Sequence, residues 1–297
     1  MAGNTRVTEG SIHTRVLANL QRNMAQSAKI QEQLSSGKQL NRPSDSPTGT
    51  ITSMELRGEV RSVQQHSRNA DDGIGWLSTL DNALMQSSSL VNKVRDLTVQ
   101  GLNSGSTTAQ SREALALEVD NIKQSLIGHA NATYMGRPVF GGTTSGDVAY
   151  NSDGSYAGDT GQVMRTVGAN VKIRVDANGP DAFGSGPDQL FAVLQGISDN
   201  LRRNDTTALS GNLKSLDGAG EVLKGALSDV GSRYNRVAQM RESAQDRMLT
   251  LNSQLSDIED VDLPKTIMDM QLQQTAYQAA LAAAAKVIQP SLIDYLR

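Results

Sequence analysis

Chemistry in a protein concentrates in a few residue types, and this chain is poor in them. Of its 297 residues none is cysteine and three are histidine, so a disulfide framework or a thiolate metal site is excluded. His13, His66 and His129 fall on three separate helical stretches, each without a carboxylate three or four residues on. Helical side chains share a face at that spacing, so none of the three reads as a metal ligand or triad member. His129 completes an apolar stripe and reads as a partly buried helix-face residue. Gly73 and Gly75 in DDGIGWL are a fragment of a phosphate-binding loop, without a strand before them or Lys-Ser or Lys-Thr after them; helix-start packing explains them better. Asp176, Asn178 and Asp181 have a faint calcium-loop spacing. The sixth position, however, is Asp181 where glycine is needed, and the twelfth is Pro187 where glutamate is needed, which leaves a turn. Asn131 and Asn204 open glycosylation sequons, a three-residue match that is common by chance. No catalytic residue, cofactor or metal is expected, and the chain reads as something other than an enzyme.

Composition narrows the class further. Ten aromatic residues, 3% of the chain, are too few for a large rounded core built on aromatic bulk. A formal charge of -3 argues against a nucleic-acid partner. The apolar run Ala279 to Ala285 is far short of the ~20 residues that span a bilayer, so no membrane span is expected. Val16 to Leu20 is too short for the core of a cleaved secretory signal.

The elements that remain are mostly helices with narrow seams. From Thr14 to Gln39, Leu17, Leu20, Met24, Ser27, Gln31 and Leu34 recur in steps of three and four. Arg15, Arg22 and Lys29 follow at intervals of seven on the opposite face, a solvated basic stripe. Pro43 and Pro47 break this helix. A helical block from about Ser46 to Gln100 carries Leu77, Leu80, Leu84, Ser87, Val91, Val94 and Thr98 on one stripe. Another helix opens near Thr107, where Thr107 and Gln110 have capping-box spacing, and carries Leu115, Val119, Ile122, Leu126 and His129. Residues 133 to 187 then change character, holding eleven of the 27 glycines and half of the aromatics. Extended runs at 137–140, 148–150, 162–167 and 171–175 predict a small β insertion of unsettled pairing. Helix resumes over 188–203. A pattern of alternating four- and three-residue steps then runs from Leu209 to Ile258 without a gap, a rod of roughly 75 Å at helical rise. Pro264 interrupts it, and a last helix carries Ile267, Met270, Gln274, Tyr277, Leu281, Ala284 and Ile288. The fold class is thus mainly α and elongated. Both ends are amphipathic helices that cannot bury their apolar faces alone. The choice between an intramolecular bundle and self-assembly stays open on spacing alone.

Three ordered motifs go further. LSSGKQLNRPSDSPTG (Leu34 to Gly49), RNADDGIGWLSTLDNAL (Arg68 to Leu84) with VRDLTVQ (Val94 to Gln100), and the ending AALAAAAKVIQPSLIDYL closely resemble the flagellin superfamily of bacterial flagellar axial proteins. The start RVTEGSI, the NRPSDSP loop, YMGRPVFGGT and the SLIDYL end look most like its hook-associated, hook–filament junction branch. Met1 to Asn4 precede the position where members often begin. The resemblance implies a flagellin-like rod with coiled-coil terminal helices: a core domain of 1–42 with 264–297, a rod domain of 43–132 with 188–263, and a β domain of 133–187. It implies a secreted structural protein, exported unfolded by the flagellar type III apparatus with an uncleaved signal. At the junction it would form a homo-oligomeric ring between a neighbouring hook-associated protein and flagellin. On this basis Leu17, Leu20, Met24 and Leu34 would meet Tyr277, Leu281 and Ile288, while Leu292, Ile293 and Leu296 would contact neighbouring subunits or an export chaperone. Arg42, Pro43, Ser44, Asp45, Pro47 and Pro264 would serve as hinge or linker. The alternatives are a divergent flagellin and, from another class, a cytoplasmic coiled-coil scaffold. Charge is uneven: 1–42 carries +4, 264–297 carries +1 and the middle -8, a mildly basic core joined to an acidic rod.

Overall fold

A computed structural model describes residues 9–103, 108–144 and 146–288, with side-chain environments from 14 onward and up to 286. Among these residues seven α-helices, α1 (Glu9–Ser36), α2 (Pro47–Leu102), α3 (Ala109–Ala130), α4 (Gly179–Phe183), α5 (Leu190–Arg203), α6 (Thr206–Glu259) and α7 (Leu263–Ile288), are interleaved with four short strands. These are β1 (Thr133–Tyr134), β2 (Arg137–Pro138), β3 (Met164–Gly168) and β4 (Val171–Arg174). The chain divides into two compact units, Met1–Arg61 with Leu249–Arg297, and Ser62–Met248. No described helix is long and apolar enough to cross a membrane.

The second unit is held by the stripes the sequence marks. All seven residues of the α2 stripe, from Leu77 to Thr98, are buried. Its two hydroxyls bond within the helix, Ser87 Oγ to Ala83 O and Thr98 Oγ1 to Val94 O, both at 2.7 Å, so neither brings an unpaired polar group into the core. Within this unit Leu209, Leu216, Leu223, Val230, Val237 and Ala244 of α6 are buried at strict intervals of seven. That recurrence keeps one seam inward over about ten turns of helix. Helices α3 and α5 pack on each other through Leu115, Val119, Ile122 and Leu126 and through Leu190, Leu194, Ile197 and Leu201. His129 is half-buried in the last turn of α3. The cap of α3 is one residue later than its sequence spacing predicts. Thr108, in extended conformation, accepts from Ser111 N at 3.3 Å, because helical geometry begins at Ala109; Thr107 lies outside the described residues.

The insertion resolves into two antiparallel hairpins. β1 pairs with β2 across Met135 and Gly136, both at positive φ, the geometry of a two-residue turn that matches strand twist. β3 pairs with β4 through Arg165↔Ile173, with a shift between Thr166 and Gly168. Residues 148–150 form no strand, only a Tyr150↔Tyr156 bridge. The five-residue α4, opened by Pro180, was not legible. Phe140, Tyr150, Phe183 and Phe191 meet edge-on or stacked at centroid distances of 5.0 to 5.7 Å. This cluster gathers the bulk that the sparse aromatic content allows.

Gly73 and Gly75 lie in the middle of α2, so they are not helix-start residues. They are where the insertion seats. A Cβ on Gly75 would fall 2.6 Å from Tyr134 Cζ, and one on Gly73 would fall 3.2 Å from Val175 Cγ1. Beside them Trp76 meets Tyr134 in a tilted ring contact at 5.6 Å, Asp72 pairs with Arg165, and Asn69 Nδ2 donates to Thr166 O at 2.8 Å. The RNADDGIGW motif is a landing strip for both hairpins. Asp176, Asn178 and Asp181 converge on a guanidinium. Arg174 donates to Asp176 Oδ1 at 3.0 Å and to Asn178 Oδ1 at 2.8 Å, and lies 3.8 Å from Asp181. The cation their spacing suggests is thus supplied by the chain. Among the described residues, no cluster of three His, Asp or Glu could hold a metal.

Candidate assembly surface

In the first unit α1 and α7 pack as an antiparallel pair: Gln273 Nε2 donates to Asn23 O at 3.1 Å, and Lys38 meets Asp260 beyond the other end of α1. The inward line of α1 is Val16, Leu20, Asn23, Ser27, Ile30 and Leu34; that of α7 is Thr266, Met270, Gln273, Tyr277, Ala280 and Ala284. Both lines step by four and three. They share half their members with the lines marked in the sequence, and the alternate members sit one residue earlier. At the positions where the lines differ, Asn23 and Ala280 face inward while the larger Met24 and Leu281 lie aside.

The consequence is an apolar flank. Leu17 and Met24 are each 59% exposed, Ile267 is 48% exposed and Leu281 is 42% exposed. Leu20, Leu34 and Tyr277 are half-buried in the seam. Antiparallel pairing puts both displaced lines on the same side of the pair, and there Met24, Ser27, Ala28 and Gln31 face Gln274, Tyr277 and Gln278 across an open groove of about 420 Å³. Of the residues expected to act across the pair, Met24 and Tyr277 are therefore brought together at this groove. Ile288 is the last residue of α7 and its side chain lies outside the described residues, as do Leu292, Ile293 and Leu296. Within the pair only Ile30, Thr266 and Ala284 are buried among the described residues, so much of its apolar surface stays in water. Arg15, Arg22 and Lys29 are exposed on the far face of α1.

The linkers are tightly bonded. Asp45 accepts from Arg42 N at 2.9 Å and Asn41 N at 3.3 Å, and pairs with Lys29 at 3.0 Å. The Lys29 ammonium, followed by these amides, holds the Asp45 carboxyl below the usual carboxylate range. Arg42 also reaches Glu32 at 3.3 Å, while Pro43 and Ser44 are exposed. Ser46 Oγ accepts from Gly49 N at 3.2 Å and Pro47 opens α2. Pro264 sits in the first turn of α7, whose Lys265 N donates to Asp262 Oδ1 at 3.2 Å. Both prolines occupy helix starts, where no amide donor is missed.

Sequence reasoning missed one group of residues here. Gln39 N donates to Glu259 O at 2.6 Å and Val261 N to Gly37 O at 3.1 Å, bracketing a Lys38↔Asp260 bridge. Lys38 Nζ lies 2.6 Å from Asp260 and 3.5 Å from Glu259, and Arg57 lies 2.7 Å from Glu259. The bond to Asp260 raises the Lys38 pKa, and the same bond, with help from Ser256, lowers that of Asp260. The partners are 222 residues apart, so no local spacing announces them.

Long seamed helices and a terminal pair with uncovered apolar surface define a mainly helical protein with a candidate assembly face. The models for the bacterial flagellin N-terminal and C-terminal helical regions match residues 10–145 and 213–296, well over half of the chain together. The chain belongs to the flagellin superfamily. It is 26% identical over 288 residues to flagellin of Bacillus subtilis (strain 168), covering 92% of this chain and 93% of that protein. It is 25% identical over 285 residues to flagellar hook-associated protein 3 of Escherichia coli (strain K12), covering 86% and 88%. Its fold is similar to that of the flagellar junction protein of Legionella pneumophila, with a TM-score of 0.58 at 13% identity, covering 70% of this chain and 99% of that one.

Proposed function

We propose that this chain is a structural protein of the bacterial flagellum that forms the junction between hook and filament, assembling as a ring through its terminal helices. The carrying observation is the uncovered flank of Leu17, Met24, Ile267 and Leu281 on a pair of helices that buries little between them. Burying a large apolar side chain contributes ~1.5 to 3 kcal/mol, so covering this flank with neighbouring copies supplies the drive for assembly. The role is one of packing rather than catalysis. Residues 1–42 with 264–297 are the assembly core, 43–132 with 188–263 the rod, and 133–187 the outward β domain. The chain leaves the cell through the flagellar export apparatus, and Leu292, Ile293 and Leu296 engage an export chaperone beforehand or a neighbour afterwards. Its neighbours at the junction are a second hook-associated protein and flagellin.

The similarity to Bacillus subtilis flagellin over nearly the whole chain favours a second reading, a divergent flagellin that forms the filament itself. Gold-labelled antibody on intact flagella separates the two. The junction reading expects a short band at the distal end of the hook, and loss of flagellin to the medium when the gene is deleted. Label along the whole filament would overturn it in favour of the second reading.

A further inference from the structure

We infer that residues 37–40 and 259–261, together with Arg57, form a clasp that sets the register of α1 against α7. The seam between the two helices is poorly suited to do this. Counted outward from Lys38–Asp260 and the Gln273–Asn23 bond, Leu20 lies level with Tyr277, Ser27 with Met270 and Ile30 with Thr266. A slip of seven residues, about 10.5 Å along the axis, brings Asn23 to Ala280, Ser27 to Tyr277 and Ile30 to Gln273. Each layer still joins small, polar or aliphatic side chains, and none buries a charge. Among the described residues, the slip breaks one directional bond within the seam, that from Gln273 to Asn23. The alanine run from Ala279, interrupted only by Leu281, offers nearly equivalent surface at every turn. Such a seam holds two helices together without saying where they stop.

The clasp has the specificity the seam lacks. Gly37, at φ +69, turns the chain one residue after α1 ends, so Lys38 arrives beside Asp260 at a fixed distance from the helix. The two backbone hydrogen bonds that flank this pair close at one register only, since moving the strand by a single residue breaks both. Beneath them the Glu259 side chain is 4% exposed and is held by Arg57 at 2.7 Å and Lys38 at 3.5 Å. A carboxylate so buried is strongly penalised when a cation leaves. Slipping α1 would remove Lys38 from Glu259 and Asp260 together. This is the use of charged and polar groups that coiled coils make of a single polar layer, at a cost in stability but with one register selected. Gly37 and Lys38 belong to the first of the three motifs, so the clasp gives that motif a physical purpose.

Because the chain has no cysteine, introduced pairs report register cleanly. In the full-length protein, Asn23→Cys is combined with Gln273→Cys for the observed register, or with Ala280→Cys or Thr266→Cys for slips in either direction, and disulfide yield is read after mild oxidation. With the clasp intact, the 23–273 pair is expected to exceed each slipped pair at least tenfold. Adding Glu259→Gln, or the milder Lys38→Met that leaves Arg57 on Glu259, is expected to raise the slipped pairs at least fivefold relative to 23–273. Far-UV helicity equal to the parent identifies the variants that are read, and the half-buried Lys38 side chain, 44% in solvent, makes the second substitution compatible with folding. An unchanged distribution in Lys38→Met would overturn the proposal, as would slipped pairs already abundant with the clasp intact.

Discussion

Two regions of this molecule are written in the same alphabet and end differently. The α6 seam and the α1–α7 pair both step by three and four. On α6, one line of six side chains is buried from Leu209 to Ala244 within the second unit, and on α2 every member of the stripe is covered. On α1 and α7, the larger apolar residues Leu17, Met24, Ile267 and Leu281 lie beside the seam in water. Spacing therefore tells that a helix will pair, but the sizes of the paired residues decide which line faces the partner. Leucine and valine in the second unit close its core. In the terminal pair serine, asparagine and alanine occupy the seam, and the bulk lies outside it, exposed.

The sharpest way to break this contrast is to cut the two regions equally. Leu80→Ala, in the fully covered α2 stripe, is expected to lower unfolding free energy by about 2 to 5 kcal/mol, seen as a shifted denaturant midpoint with constant slope. Gly75→Ala is next. Its methyl group must displace the Tyr134 ring, with an expected loss of about 1 to 3 kcal/mol. Because Trp76, the single tryptophan, packs against that ring, its fluorescence should change in the same step. Met24→Ala or Leu281→Ala, on exposed flank positions, is expected to shift monomer stability by no more than ~0.5 kcal/mol while abolishing incorporation into flagella. If either cost as much as Leu80→Ala, the flank would already be covered in the monomer.

The smallest effect concerns the linkers. The Asp45 and Asp260 carboxyls sit below their usual range, each first through a lysine. A lowered folded pKa gives stabilisation that is present above the unfolded carboxylate value and is lost as pH falls through the folded one. The raised Lys38 pKa works in the other direction, with a contribution intact below the ordinary lysine value and lost as pH rises through the folded one. Amide exchange, corrected for intrinsic rate, should therefore be slowest between those limits at Arg42 and Gln39. Acidification should speed Arg42, which donates to Asp45, as well as Gln39. Alkali should speed Gln39 but leave Arg42 less affected if its turn rests on Asp45.

The helical order, the α2 stripe and the superfamily were legible because each rests on local spacing or contiguous motifs. What stayed hidden depends on distant partners or on near ties. Thr107 and Thr108 are equally able to cap, and only the first helical residue decides between them. The phase of the terminal seam is a tie between two lines that share every second member and differ by one residue at the others, and only the paired helices show which line faces inward. Hairpin registers, the gathering of Asp176, Asn178 and Asp181 by Arg174, and the landing of Tyr134 on Gly75 all require the fold to exist first. Lys38 and Asp260 carry no signal in sequence because nothing near either residue points to the other. At the candidate surface, the sequence identified the right helices and several of the right residues, while their division between seam and flank needed coordinates.

If the flank of the terminal pair is the assembly surface, the second unit closes its core within one chain and the terminal pair does so only among neighbours. Amide hydrogen exchange on the monomer and on assembled flagella tests it most directly. Amides of residues 14–36 and 263–286 should exchange at least tenfold faster than those of 190–201 in the monomer, and become as protected as the latter after assembly. Equal protection of the three segments in the monomer would contradict it.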